Sequence, residues 1–310
     1  MKIFLTGSAG MVGQNILEHK DFQQHEILSP KRSELDLFNW NDVLQFMKKH
    51  QPDLVLHTAG RVGGIQANMA HPVDFLVENI DINRHVIMAA RQVGVRRLIN
   101  LGSSCMFPRN ASNPLSEDLV LKGELEPTNE GYALAKIMAQ RLCQYISKEQ
   151  SEFQYKTLIP CNLYGRFDKF DPRHSHLVPA IIRKLHQAQV VQQSEVDIWG
   201  DGTARREFMY VGDLVSCLAQ AVEQFESLPS LMNVGVGFDY TVNEYYQVAA
   251  EVIGFKGKFV HDLSKPVGMQ QKLVSTKLAE AWGWKSQVSL QEGLQKTYQY
   301  YLSLNENRGL

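Results

Sequence analysis

Ile3-Phe4-Leu5-Thr6-Gly7-Ser8-Ala9-Gly10-Met11-Val12-Gly13 reads as a strand, a glycine turn and the start of a helix that runs to about His19. Glycines at 7, 10 and 13 make the pattern GxxGxxG. Alone it is a weak signal, but between a strand and a helix it is a dinucleotide cradle. The first two glycines allow a tight turn and close approach of a pyrophosphate. The third lets the helix pack against the strand, and the helix N-terminus faces the anion. Gly7, Gly10, Met11, Val12 and Gly13 are therefore cofactor candidates.

The rest of the chain repeats the alternation that this start implies. His25-Glu26-Ile27-Leu28 is a second strand. Where an NAD site usually carries an acid on the ribose, it ends in Ser29-Pro30-Lys31-Arg32. Arg32 is the candidate for a 2′-phosphate, so the reading favours NADPH over a solvated basic turn. Asp36 either approaches the adenine or caps the helix containing Val43, Leu44 and Met47. Asp53–His57 is a third strand, ending in Thr58-Ala59-Gly60, with Ala59 a further cofactor candidate. A glycine segment, Val62-Gly63-Gly64-Ile65, follows. A long helix is expected from Val73 to about Gly94, then a fourth strand at Arg97–Leu101 and a fifth at Tyr155–Ile159. Strand and helix in alternation predict an α/β fold with a doubly wound parallel sheet, a Rossmann arrangement.

Two stretches carry the chemistry. Gly102-Ser103-Ser104-Cys105 closes the fourth strand, and Tyr132-Ala133-Leu134-Ala135-Lys136 lies in a helical pattern. Tyr132 and Lys136 are four apart and share a helix face. An ammonium there is expected to lower the pKa of a phenol that otherwise titrates near 10. Tyr132 would then give a proton to a ketone, Ser103 would orient the ketone oxygen and a nicotinamide would supply hydride. The plain alternative for such a pair is packing plus a solvated charge.

Composition narrows the classes. The 310 residues are 44% hydrophobic and 21% charged, with a net charge of -1. That is an ordinary globular balance, with no global field favouring nucleic acid or a membrane surface. Cys105, Cys143, Cys161 and Cys217 form no CxxC pair, which fits a reducing cytoplasm and suggests neither a zinc site nor a disulfide framework. The N-terminus runs directly into glycines and reads as lacking a signal peptide. After Gly165 the alternation becomes irregular. The expected division is 1–165 plus about 205–235 for the NADP-binding part, with about 166–204 and 236–310 forming a smaller substrate-binding part.

At the level of motifs the chain resembles the extended short-chain dehydrogenase/reductases that act on nucleotide sugars, and among them the GDP-L-fucose synthase family. The resemblance covers nearly the whole chain. It rests on GSAGMVG (7–13), VGGIQAN (62–68), LGSSCMFP (101–108), LEPTNEGYALAK (125–136), NLYG (162–165), HSHLVPA (174–180), WGDGTARREF (199–208) and NVGVG (233–237). The resemblance implies an NADPH-dependent epimerase/reductase of a GDP-linked 4-keto-6-deoxy sugar. It implies a Ser103/Tyr132/Lys136 clamp on the C4 oxygen, and Cys105 and His176 as the two acid–base groups for inversion at C3 and C5. Asn162 falls to the cofactor, and Lys184, Trp199, Arg206 and Lys272 to the GDP-sugar. Relatives pair as homodimers through helices matching 79–90 and 132–145.

Each assignment has a plainer alternative. Cys105 can be an inert strand-end thiol, and His176 a surface residue with His174 as its decoy. Arg206 can be ion-paired with Glu207 or Asp213. The departures fall on the substrate side: Arg166 to Phe170 after NLYG, Met106-Phe107, Lys184, and Val267 and Gln271 where the family has an acid and an arginine. They leave open a 3-deoxy sugar, as in GDP-L-colitose synthesis, or a GDP-heptose. A pure reductase would not need Cys105 and His176, and a non-catalytic NADP sensor would not need the complete clamp.

Overall fold

A computed structural model describes residues 1–171, 175–265 and 269–306. Its strands are β1 (Lys2–Thr6), β2 (Glu26–Leu28), β3 (Leu54–His57), β4 (Arg97–Leu101), β5 (Gln154–Pro160), β6 (Asn162–Tyr164), β7 (Glu195–Trp199), β8 (Arg205–Arg206), β9 (Phe208–Tyr210), β10 (Leu231–Val234), β11 (Tyr240–Thr241), β12 (Lys258–Asp262) and β13 (Gln271–Lys272). Its helices are α1 (Met11–Glu18), α2 (Trp40–His50), α3 (Ile65–Ala70), α4 (Pro72–Val93), α5 (Glu130–Glu149), α6 (Leu177–Val190), α7 (Val211–Glu223), α8 (Val242–Ile253), α9 (Lys277–Trp282) and α10 (Leu290–Glu306).

Six parallel strands form the central sheet in the order β10-β5-β4-β3-β1-β2. The strands are near-continuous apolar runs because both faces are covered. Within β1 the residues alternate between two cores. Ile3 and Leu5 join Ile16 of α1 and Val215 and Leu218 of α7, whereas Phe4 joins Val43 and Met47 of α2, Val86 of α4 and Ala139 of α5. The sheet is therefore doubly wound, as the alternation of strand and helix predicts.

The order reverses between β1 and β3, and the carboxyl ends of strands at such a reversal are where ligands bind. There the two loops are stitched together. Thr58 Oγ1 donates to Thr6 O at 2.7 Å, and Ala59 N donates to Thr6 Oγ1 at 3.2 Å.

A third core lies among α6, α8 and α10, where Ile181, Ile182 and Leu185 meet Tyr245, Ala249, Leu294 and Tyr301. Val196 and Ile198 of β7 also enter it. β7 pairs in parallel with β12 from Lys258↔Glu195 to Asp262↔Trp199. The sequence reading has only a turn near Trp199, yet Glu195–Trp199 alternates exposed and buried residues, the period-two signature of a strand. It likewise lacks α3, a six-residue helix behind the Gly63-Gly64 segment. The stretch read as a loop over the site, 107–128, contains a short 3₁₀ turn at Glu117–Leu119. It is fastened to the C-terminal part, since Leu115 N donates to Leu273 O and Ser275 N donates to Leu115 O, both at 2.8 Å.

Candidate active site

Ser103 follows β4 and caps the 3₁₀ turn Ser104–Met106, its hydroxyl accepting from Cys105 N at 3.3 Å. A serine suits this place because its side chain satisfies the free amide of a turn start. The same hydroxyl is the polar group that partly opposes the upward shift of the Tyr132 phenol. One turn along α5, the buried Lys136 donates to Leu101 O at 2.8 Å, and its Nζ lies 5.8 Å from the Tyr132 ring centroid. The three side chains thus meet at the carboxyl end of β4.

Their electrostatics differ from the expectation in one respect. Burial pushes the Tyr132 phenol up, proximity to Cys105 adds to this, and Ser103 pulls only partly back. The expected lowering by Lys136 is not found: burial and Cys105 set the direction, and only Ser103 opposes them. Lys136 itself is lowered to about 8 by burial. Tyr132 therefore keeps its proton at neutral pH.

Cys105 is half-buried, whereas Cys143, Cys161 and Cys217 are buried. Two donors converge on its sulfur: Asn129 Nδ2 at 3.1 Å and Lys272 Nζ at 3.6 Å. Asn129 immediately precedes α5, three residues before Tyr132. Lys272 arrives on β13, which pairs with β8 so that Lys272 lies opposite Arg206. Glu207, the expected ion-pair alternative for Arg206, is occupied otherwise. Its buried carboxylate accepts from Val236 N, Gly237 N and Val274 N, and burial raises it to about 7. Asp213, the other alternative, accepts from Gln287 N and Val288 N, both at 3.0 Å. Burial lowers Arg206, and Glu126 is the first charge to offset this.

Behind the clamp lies a network with no strong sequence signal. The buried His57 at the end of β3 meets Thr6 Oγ1 at 2.8 Å and Asn83 Oδ1 at 2.9 Å, and Asn83 donates on to Ala135 O at 3.3 Å. Burial, with the nearby Lys136 charge, lowers His57 to about 3, so it is neutral. Asn79 fixes the Gly60–Arg61 turn, accepting from Arg61 N at 2.9 Å and donating to Arg61 O at 3.1 Å.

The glycine cradle has the shape a dinucleotide needs. Gly7 has φ +72°, and a Cβ there would lie 2.8 Å from Ala59 N and Cα. A Cβ on Gly13 would fall onto Gly7 O and Ser8 Cα. Side chains are therefore excluded from both positions by the neighbouring backbone. Arg32 is exposed, its guanidinium 5.5 Å from the Phe38 ring centroid. Asp36 accepts from Phe38 N at 3.0 Å, while the cap of α2 is Asn39, which accepts from Asn41 N and Asp42 N. Asp36 thus makes a local turn instead of the helix cap, because the chain bends once more before α2 begins.

The remaining candidates are spread more widely. His176 is the N-cap position of α6, lowered by burial and by the Lys169 charge. The adjoining Ser175 carbonyl crosses Gly64, where a Cβ would come within 3.2 Å of it. Asn162 Nδ2 donates to Glu207 O at 3.0 Å, tying β6 to β9. Lys184 is paired with Asp197 at 2.7 Å, and Trp199 is half exposed beneath the Lys265 ammonium. Gln271 donates to Asp239 at 2.7 Å. His174 and Val267 lie outside the described residues.

A dinucleotide cradle joined to a Ser/Tyr/Lys cluster around the buried Lys136 defines a nicotinamide-dependent oxidoreductase of the doubly wound α/β class. Comparison with known proteins agrees. Residues 3–235 match the NAD dependent epimerase/dehydratase family, and the chain belongs to that family. It is 51% identical over 307 residues to the GDP-L-colitose synthase of Yersinia pseudotuberculosis, covering 99% of this chain and 100% of that one. It is 49% identical over 305 residues to the GDP-L-fucose synthase of Azorhizobium caulinodans, covering 98% and 97%. Among solved structures it is similar to a GDP-6-OMe-4-keto-L-xylo-heptose reductase from C. jejuni, with TM-score 0.91, 29% identity and 98% of each chain covered.

Proposed function

We propose that the protein is an NADPH-dependent epimerase/reductase that converts GDP-4-keto-6-deoxy-D-mannose to GDP-L-fucose. The observation that carries the reading is the convergence of Ser103, Tyr132, Lys136 and Cys105 on one site beside the glycine cradle. The C4 ketone acidifies the protons on C3 and C5. Tyr132 and Ser103 hold the C4 oxygen by hydrogen bonds that strengthen as an enolate forms. Cys105 and the neutral His176 exchange protons with C3 and C5 from opposite faces of the ring. NADPH, when bound by Gly7, Gly10, Met11, Val12, Gly13, Ala59 and Asn162 with Arg32 on its 2′-phosphate, supplies hydride to C4. Tyr132 then gives its proton to the C4 oxygen, with Lys136 beneath the ring.

Lys184, Trp199, Arg206 and Lys272 are proposed for the GDP-sugar, and Asp36 for the adenine side of the cofactor. The division at about 166–204 and 236–310 is proposed as the substrate-binding part, supported by the separate core of α6, α8 and α10. A cytoplasmic homodimer is proposed, paired through the exposed Val73 and Val77 of α4 and Leu134 and Tyr145 of α5.

A second reading is favoured by the 51% identity to a GDP-L-colitose synthase: the same clamp acting on the 3-deoxy 4-keto sugar, with inversion at C5 alone. Incubation with NADPH in deuterated water separates the two. Faster NADPH oxidation with the 3-hydroxy substrate, and deuterium at C3 and C5, supports the fucose reading. Faster oxidation with the 3-deoxy substrate supports the colitose reading. Tyr132→Phe should lower reduction by roughly 10²-fold or more with either substrate. Unchanged reduction in that variant sinks the clamp.

A further inference from the structure

Cys105 stands between two groups that nothing about the chemistry of the clamp requires. Asn129 Nδ2 lies 3.1 Å and Lys272 Nζ 3.6 Å from its sulfur. An ammonium has three donors and no acceptor, so the sulfur facing it can only accept. The approach of Lys272 is enforced by the backbone that carries it. Its strand is in register with β8, Leu273 N donates to Asn113 Oδ1 at 2.8 Å, and Val274 N donates to the buried Glu207 carboxylate at 2.9 Å. The two donors come from unrelated parts of the chain. One precedes the helix of Tyr132, and the other is 167 residues from Cys105.

We propose that Asn129 and Lys272 are positioning residues for Cys105, holding its sulfur as a proton acceptor in one rotamer. The proposal rests on the reading of Cys105 as an acid–base group. It gives Lys272 a task besides contact with the GDP-sugar. Removal of a proton from the ring carbon requires the sulfur to arrive without one. The pair of donors holds the sulfur in one orientation, and the proton then passes from carbon to sulfur as the C4 oxygen takes up the electron pair within the Tyr132–Ser103 clamp. The pair also ties together three segments: the β4 end, the start of α5 and the C-terminal strand β13.

The test uses the full-length protein and two readouts. The first is the rate of Cys105 alkylation by iodoacetamide at pH 7, read by peptide mass, with Cys105→Ser as the blank. It requires no substrate. The second is deuterium wash-in at the ring of the 3-hydroxy or 3-deoxy substrate without NADPH. Lys272→Met should slow both by about tenfold, the scale of a lost charge-assisted hydrogen bond, and Lys272→Arg should restore most of it. Asn129→Asp keeps the shape but presents only acceptors to the sulfur, so it should slow both as well. Wild-type alkylation in Lys272→Met and Asn129→Asp overturns the proposal. So does a rise in KM with kcat unchanged in Lys272→Met, which makes Lys272 a substrate contact alone. If the wild type shows no wash-in with either substrate, the proposed function fails, and with it the role of the pair. The alkylation rates then report only whether the pair tunes the thiol.

Discussion

Lys136 carries the sharpest conflict between stability and chemistry at the residue scale. It is fully buried beside Tyr132, and burial lowers it to about 8 from 10.5. Between those values the unfolded chain binds a proton that the folded chain has released. Stability therefore rises with pH across the window from about 8 to 10.5, and below it the penalty of the buried charge is constant. Lys136→Met removes the group. The unfolding free energy of wild type minus variant should climb by on the order of 2–3 kcal/mol between pH 8 and 10.5, read from urea melts. A flat difference would show that the ammonium is not held in a desolvated site. Reduction should be lost in the same variant, since the contact beneath the Tyr132 ring goes with it. His57 works in the opposite part of the scale. Lowered to about 3, it loses stability as pH falls below 6.5, because the unfolded imidazole takes up a proton that the buried one refuses.

Among the elements, the glycine turn between β1 and α1 is the most intolerant of change. Gly13→Ala would drive a Cβ onto Gly7 O and Ser8 Cα, both backbone atoms that no rotamer can move. The variant should unfold more easily by about 1–3 kcal/mol and bind NADPH at least tenfold more weakly. Gly94→Ala is the control. Gly94 has φ +87° but open space around it, so the expected loss is about 1 kcal/mol of left-handed strain, with NADPH binding unchanged. Equal NADPH affinity in Gly13→Ala, measured by fluorescence titration, would remove the cradle from the cofactor site. The same scale explains what reading the sequence misses. β7 carries its alternation over only five residues, and its partner β12 is more than fifty residues further on, so neither looks like half of a pair.

For the molecule as a whole, α4 and α5 cover one face of the sheet and still leave apolar side chains in solvent. Val73, Val77, Leu134 and Tyr145 are between 40% and 68% exposed. Val77 is one turn beyond Val73, so the two share a stripe. The proposed homodimer buries this stripe. Val77→Arg with Leu134→Arg should give a monomer by light scattering at micromolar concentration where the wild type is a dimer. A monomeric wild type would overturn the assignment.

The sequence by itself determined the parallel sheet and its glycine turn. Apolar runs bounded by Gly and Pro are local signals, and a turn that excludes side chains can be written only in glycine. It also indicated that Tyr132 and Lys136 share a helix face, because helical spacing is fixed by the backbone. Tertiary structure alone decided what surrounds them. The meeting of Lys272 with Cys105, the capture of Glu207 by three backbone amides, and the upward push on Tyr132 all depend on segments brought together through space. Periodicity reports which side of an element faces inward, whereas the desolvation and donors that a side chain finds there are set by whatever the rest of the fold packs against it.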